Sequence, residues 1–445
     1  MNRPARASGD VAGAAEIGHS RYVATKRSLN MLASQRALFE MPRHICYLNS
    51  ASYSPLPLKT QEAARAAVGR KGTPWTLEPG FANQQHDRAR AAAARLIHAD
   101  PADMALIPSI SYGVATAAKI LTIERGTRVI VLENDHSSPV LEWYTRAGAQ
   151  GFAVETVNRP DDGDWTSAVL AAIERSGAAP VGLASISSVH WSDGGLIDIE
   201  KVGLALRQRG ASFLIDATHS AGVLTMDVRR LDPDFVLFPT YKWLLGPYGR
   251  AFLYVARRHQ GGTPLEQTSF GRRDVRAENE LYFADVSYVG DARRFDMGER
   301  DHFISMEMAA IGMEMMAEWG AAAIAQRLSM LTERIAEGVR SIGVSVPERR
   351  LRAPHILSLN FKDGILKGLV EGLATEGVYV AARLGRMRIS PHVYNDEVDA
   401  DRFVAALAKR LRSSCFSSCW SMAGRWWRAA WCSAMGVAGD LARSA

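Results

Sequence analysis

Residues 211–255, ASFLIDATHSAGVLTMDVRRLDPDFVLFPTYKWLLGPYGRAFLYV, decide how this chain reads. Two apolar runs, 212–215 and 234–238, each give way to polar groups: Asp216 and His219 after the first, Tyr241 and Lys242 after the second. Short runs that are apolar throughout are typical of strands in a parallel sheet covered on both faces. Ligands of such sheets sit at the carboxyl ends of the strands. Asp216, His219 and Lys242 are therefore expected to meet at one sheet edge.

An acid and a lysine converging on such an edge suit pyridoxal phosphate (PLP). The lysine forms a Schiff base with the cofactor's aldehyde and, once displaced by a substrate amine, can move the α-proton. The carboxylate keeps the pyridine nitrogen protonated, so that the ring accepts electrons. Taken singly, either residue is an ordinary capping Asp or surface Lys. The rhythm of the chain separates the two readings. Strand-like runs at 103–108, 127–132 and 181–187 alternate with helical segments, among them 111–121, 165–175 and 199–209, and the runs lead into Ser111, His136 and Ser188. With Asp216 and Lys242 this makes five polar sites at five strand ends, which chance capping does not explain. The expected fold is α/β, a mostly parallel central sheet with helices on both faces, followed by a smaller α+β C-terminal domain.

Composition narrows the classes. A chain of 445 residues with 47% hydrophobic and 22% charged residues has the make-up of a soluble globular enzyme. The formal net charge of +6 comes without a long Lys/Arg block, so nucleic acid is not an expected partner. Four cysteines without a regular framework argue against a secreted disulfide scaffold. Cys46 sits in an apolar run, and Cys415, Cys419 and Cys432 have no nearby histidine partners, so no metal site is expected. No stretch approaches the roughly 20 apolar residues of a membrane span, and the N-terminus lacks an apolar signal core. A cytoplasmic enzyme is the expectation.

Residues 1–25 read as a mobile lead, 26–300 as the large domain, 301–345 as a long connecting helix or helix pair, and 346–411 as the small α+β domain. Residues 26–60 are a candidate to pack on that small domain. A helix is expected over 28–40 and a single strand over 379–390. Residues 412–445, where Trp420, Trp426, Trp427 and Trp431 crowd together, form an atypical tail with no assigned role.

D-A-T-H-S-A-G at 216–222 and D-F-V-L-F-P-T-Y-K-W-L-L-G-P-Y-G at 234–249 together resemble the cofactor-lysine region of the class V aminotransferase family of fold-type I PLP enzymes. That family includes cysteine desulfurases, kynureninase-like hydrolases and isopenicillin N epimerase-like proteins. The resemblance runs from about residue 47 to about residue 411. It implies that Lys242 carries the PLP cofactor, that Asp216 faces the pyridine nitrogen, that His219 bonds near the phenolic oxygen and that Tyr241 reaches the phosphate. Ser111, with the Ile110 and Tyr112 amides, inherits the phosphate turn, and His136 the stacking position on the ring. Ser188 stands where desulfurases have Asn, which implies a weaker or water-mediated contact.

By the same resemblance Ser52, in Y-L-N-S-A-S-Y-S-P-L-P, and His190 line the substrate pocket, with Trp191 beside them. Arg388 is the candidate for the substrate carboxylate, because its planar fork donates two parallel hydrogen bonds. Arg386, on the same face of the expected strand, and Arg383, on the other, come next. In F-D-M-G-E-R, Glu299 and Arg300 are the candidates to reach the phosphate of a neighbouring subunit, implying a homodimer with shared active sites. Residues 378–387 hold no cysteine where desulfurases carry their nucleophilic thiol, which counts against persulfide transfer. An amino-acid substrate follows. Transamination is the first reading, with epimerisation and carbon–sulfur β-elimination differing from it by one proton and one leaving group. A non-catalytic scaffold that keeps the fold is the competing class, and Lys242, Asp216 and Arg388 argue against it.

Overall fold

Successive side chains of a strand face opposite sides of its sheet, so a strand that is apolar at every position needs cover on both sides. The computed structural model supplies that cover. It describes residues 31–273, 286–300 and 303–413; the lead at 1–25, residues 274–285 and the Trp-rich tail beyond 413 lie outside the described residues.

In chain order, β1 (Cys46–Tyr47) precedes α1 (Leu58–Gly72) and α2 (Phe81–Leu96). The alternating part follows: β2 (Met104–Ile107), α3 (Ile110–Ile120), β3 (Arg128–Leu132), α4 (Ser137–Gln150), β4 (Ala153–Val157) and α5 (Trp165–Glu174). It continues with β5 (Val181–Ser187), α6 (Ile199–Arg207), β6 (Ser212–Asp216), α7 (Val228–Leu231), β7 (Phe235–Pro239) and β8 (Ala251–Val255). These seven strands, β2 to β8, form one sheet in the order β2-β8-β7-β6-β5-β3-β4. Only β8 opposes its neighbours; the other pairings are parallel.

The two faces have separate cores. Phe213, Ile215, Val236 and Phe238 point into one, which also holds the alanines of α2 and the methionines of α8 (Ser305–Trp319). Leu214, Phe235 and Leu237 point into the other, against Val114 and Ala117 of α3 and Trp143 of α4. Helix α3 lies so close to the sheet that a Cβ on Gly113 would fall 2.2 Å from Leu237 Cδ2 and 2.7 Å from Ile107 Cδ1. A glycine here fixes how near the first turn of α3 stands to the strand ends.

After α8, α9 (Ala321–Arg340) begins beyond Gly320, whose φ of +80° breaks the expected long helix into a pair. The C-terminal part contains β9 (Leu357–Leu359), α10 (Leu369–Thr375), β10 (Val378–Tyr379), β11 (Ala381–Arg383), β12 (Arg386–Ile389) and a helix over 397–413. A third core of its own includes Leu357, Leu373, Met387 and Phe403, together with Cys46 and Leu48 from the N-terminal segment. That segment is stitched in by β1 pairing parallel with β10 and by the Asn49–Ser390 bridge.

Two local expectations are corrected. Among the described residues, 31–40 form only a short turn at Arg36–Leu38. The Arg36 guanidinium is buried against Asp399 and the carbonyls of Pro42 and Ile45, and these distant contacts set the local backbone. The single strand expected over 379–390 is instead a hairpin that turns at Leu384 and Gly385, with φ +45° and +76°. The turn reverses the chain and pairs Arg383 with Arg386 and Ala381 with Arg388. Paired residues share a face, so Arg383 lies on the same side as Arg388. No helix among the described residues is long and apolar enough to cross a membrane.

Below the sheet edge that concerns function, Asp296 binds three donors at once. It accepts Arg90 through both oxygens at 2.8 and 3.1 Å, Arg300 at 2.7 Å and the Leu106 amide of β2 at 2.8 Å. Its side chain is fully enclosed. Replacing Asp296 by Ala leaves two guanidiniums uncompensated, and a loss of about 3–5 kcal/mol in denaturant unfolding is expected; a change below about 1 kcal/mol would contradict this account of the cluster.

Candidate active site

The strand ends β2, β3, β5, β6 and β7, with the start of the opposed β8, surround one cavity of about 170 Å³. Ser109, His136, Ser187, Asp216, Tyr241, Lys242 and Arg250 are in its wall. The polar groups converge because each strand stops at the same edge, and every parallel strand delivers its next residue there.

Lys242 is held by a tight turn after β7. Thr240 accepts the Gly246 amide at 2.9 Å, and its hydroxyl donates to Pro247 O at 2.7 Å. Lys242 is 7% exposed. Burial lowers it to about 8 from its usual 10.5, outweighing the attraction of Asp216. Asp216, also buried, accepts the Thr218 amide at 2.8 Å, and burial raises its carboxyl above the usual range.

His219 stands 3.2 Å from Lys242 Nζ through Nε2. Its other nitrogen, Nδ1, lies 3.1 Å from the indole nitrogen of Trp243. An indole N–H only donates, so Nδ1 must accept and the neutral ring carries its proton on Nε2. Burial holds His219 well below the ordinary histidine value, which keeps it neutral. An uncharged Lys242 amine can accept that N–H; an ammonium cannot. Trp243 is itself fixed between His355, at 4.4 Å edge-on, and His392, stacked at 5.5 Å.

Asp135 was not anticipated from the sequence. It accepts Ser187 Oγ at 2.7 Å, the Ser187 amide at 3.1 Å and the His136 amide at 2.7 Å, tying the end of β3 to that of β5. Burial raises it to about 6. The only advance signal was its position in the E-N-D-H segment next to His136.

The expected phosphate turn needs adjustment. Ser109, not Ser111, is the helix cap: its hydroxyl takes the Tyr112 amide at 3.2 Å, so that amide is not available to a ligand. Ser111 is exposed and sits 3.1 Å from Ser109 Oγ. Ile110 lines the cavity, and first-turn amides such as those of Ile110 and Ser111 have no intrahelical acceptor. Tyr241 is in the wall, its ring stacked on Tyr248 at 3.8 Å.

Other expected residues lie outside the wall, Ser188, His190, Ser52 and Arg388 among them. Ser188 faces away from the cavity and bonds Ser220 Oγ at 2.6 Å; the preceding residue, Ser187, faces in, as the alternation of a strand requires. His190 is not in the wall. Its ring lies on Trp165 at 5.0 Å and is held by Glu133 O and Ser192 Oγ, and burial lowers it to about 4. Its neighbour Trp191 lines the cavity instead. Arg300, besides its bond to Asp296, lies over the Phe270 ring at 3.9 Å, outside the cavity wall.

Beside Trp191, Arg388 donates to Trp191 O at 2.6 Å and to Ser52 Oγ at 2.9 Å. Arg388 is 1% exposed, yet no carboxylate pairs with it among the described residues. Burial brings it down to about 9. A buried cation with only neutral acceptors is costly unless an anion joins it.

The wall thus offers an amine, a buried carboxylate, an imidazole ring and a helix start, which fit the aldehyde, pyridine nitrogen, ring face and phosphate of PLP. Comparison with known proteins gives the same direction. The aminotransferase class-V family matches residues 59–403. An uncharacterized aminotransferase of Bacillus subtilis, YcbU, is 25% identical over 354 residues, 76% of this chain and 86% of the relative. The cysteine desulfurase IscS of Pseudomonas entomophila is 27% identical over 326 residues, 71% of this chain and 74% of the relative. The solved apo cysteine desulfurase of Thermococcus onnurineus shares the fold with a TM-score of 0.72 at 20% identity, over 85% of this chain and 97% of that one. This chain belongs to the class V aminotransferase family of PLP-dependent enzymes.

Proposed function

We propose that the protein acts on an amino acid, with Lys242 moving the α-proton and transamination as the net reaction. The observation that carries this reading is the buried Lys242 amine sharing one cavity with the buried Asp216 carboxylate. When bound, PLP supplies an aldehyde that condenses with amines and a ring that accepts the electrons left at Cα. Asp216 is the partner for the ring nitrogen, His136 for the ring face, and His219 Nε2–H for an oxyanion beside Lys242. Ile110 and Ser111 offer amides to the phosphate, and Tyr241 adds its hydroxyl. Arg388, steadied by Ser52, takes the substrate carboxylate.

Lys242 suits proton movement because its amine is held near neutrality: a base with a pKa close to the working pH combines availability with driving force. Carbon–sulfur bond cleavage is the second reading, supported by the cysteine desulfurase relatives and by fold similarity to a cystine C–S lyase. Against persulfide storage on Cys46, that thiol is completely buried and donates to Asp399 O. Family resemblance also supports a homodimer with shared sites, with Glu299 and Arg300 as the candidates to reach the phosphate of the neighbouring subunit.

Incubating the holoenzyme with a panel of amino acids tests the reaction. Keto-acid formation with conversion of the cofactor to its amine form is expected; released sulfide or thiol without keto-acid exchange would overturn transamination in favour of lysis. Arg388→Gln is expected to raise KM by about 10²-fold, the scale of a lost charged hydrogen bond, with a smaller change in kcat. An unchanged KM would remove Arg388 from the carboxylate role.

The titration of Lys242 gives a further check on the apoprotein. Its folded pKa, about 8, lies below the usual 10.5, so the unfolded chain binds more protons between those values and stability rises with pH across that window. Below pH 8 the penalty of the buried cation is fully present. Lys242→Met is therefore expected to stabilise the apoprotein at pH 7 by up to about 3 kcal/mol, with the gap narrowing from pH 8 to 10.5. A gap independent of pH would contradict the depressed amine.

A further inference from the structure

The hairpin β11–β12 brings a second guanidinium to the same point as the first. Arg383 Nη2 donates to Ser52 Oγ at 3.1 Å, and Arg388 Nη2 donates to that oxygen at 2.9 Å. Ser52 can serve both because its own hydrogen goes to Asn49 Oδ1 at 2.8 Å, which leaves both lone pairs free to accept. The other bond of Arg383 is to a backbone carbonyl, that of Ala382. Neither arginine faces a carboxylate among the described residues. Two nearby arginines are already committed: Arg386 donates to Asn360 at 2.9 Å, and Arg159 is paired with Asp193.

Two like charges held on one hydroxyl repel, and Arg383 adds to burial in disfavouring the charged form of Arg388. Both also bear on Lys242 and help to lower its amine. Such an arrangement is stable without penalty only when anionic charge arrives. One carboxylate, the one assigned to Arg388 above, neutralises one of the two cations. Arg388 is buried and Arg383 half-buried, further out on the same face. Both forks reach one oxygen, so they lie within about 6 Å of each other, each at hydrogen-bond range of it. A short dicarboxylic amino acid spans that separation.

We infer that the pocket selects an amino acid carrying a second acidic group on its side chain, and that Arg383 is the residue that binds it. This inference rests on the reading of the cavity as an amino-acid site with Arg388 on the α-carboxylate. Arg383 thereby sets specificity, and it takes no part in moving the proton.

The test uses holoenzyme and the cofactor's visible spectrum, titrated with aspartate and glutamate and with their neutral amides, asparagine and glutamine. In the unmodified protein the acids are expected to bind at least tenfold tighter than the amides. Arg383→Gln is expected to erase that preference, weakening the acids at least tenfold more than the amides. Arg388→Gln is expected to weaken acids and amides alike. Equal affinity for acids and amides in the unmodified protein would overturn the inference. So would an Arg383→Gln variant that weakens both groups equally, since Arg383 would then merely share the α-carboxylate. Failure of every amino acid to perturb the spectrum would sink the amino-acid reading and this inference with it, whereas tight binding of the amides over the acids would sink the inference alone.

Discussion

Everything at this site depends on a lysine amine kept out of water at the carboxyl edge of a doubly covered sheet. A buried ammonium is expensive, and among the described residues no carboxylate removes the expense with a close ion pair. Instead the fold lowers the amine's proton affinity to about 8, with Asp216 sharing the cavity as the nearest strong counterweight. The surrounding architecture holds this arrangement in place: Gly113 lets α3 press against β7, Thr240 closes the turn that carries Lys242, and Asp296 anchors the end of β2. Trp243 then decides which nitrogen of His219 bears the proton, so a tryptophan outside the cavity wall sets the polarity of a group inside it.

A second tension lies beside the cavity, behind Trp191 of its wall. Arg388 and Arg383 carry charge that no described carboxylate balances, while Asp216 and Asp135 are carboxyls that burial pushes towards their neutral forms. The protein alone leaves both kinds of group imperfectly satisfied. A cofactor with a protonatable ring nitrogen and a substrate with carboxylates would satisfy both, so the groups least comfortable in the protein are those that face a ligand.

The sheet is legible in the sequence because its central strands are largely apolar, and the meeting of His136, Asp216 and Lys242 in one cavity wall follows from where those runs stop. What escaped was finer than the run length. Ser188 was expected to face the cavity, yet Ser187 does: the choice turns on strand parity, which a run that is apolar on both faces does not reveal. Ser111 was expected as the phosphate hydroxyl, but Ser109 caps the helix and consumes the Tyr112 amide, a distinction set by where the first helical turn begins. Arg383 lies on the face opposite to the one strand parity predicts, because a turn at Leu384 and Gly385, hidden by the strand-like composition, interrupts the alternation. His190 is packed against Trp165, a residue distant in sequence whose contact no local pattern announces. Asp135 carries no such local signal, because the Ser187 group it accepts from arrives only once β3 and β5 lie side by side.

The most direct measurement is borohydride reduction of the PLP-loaded protein followed by peptide mass mapping. The account predicts a single stable cofactor adduct, on the peptide containing Lys242, and its disappearance in Lys242→Ala. An adduct on a different lysine, or none at all in protein that retains its fold, would contradict it.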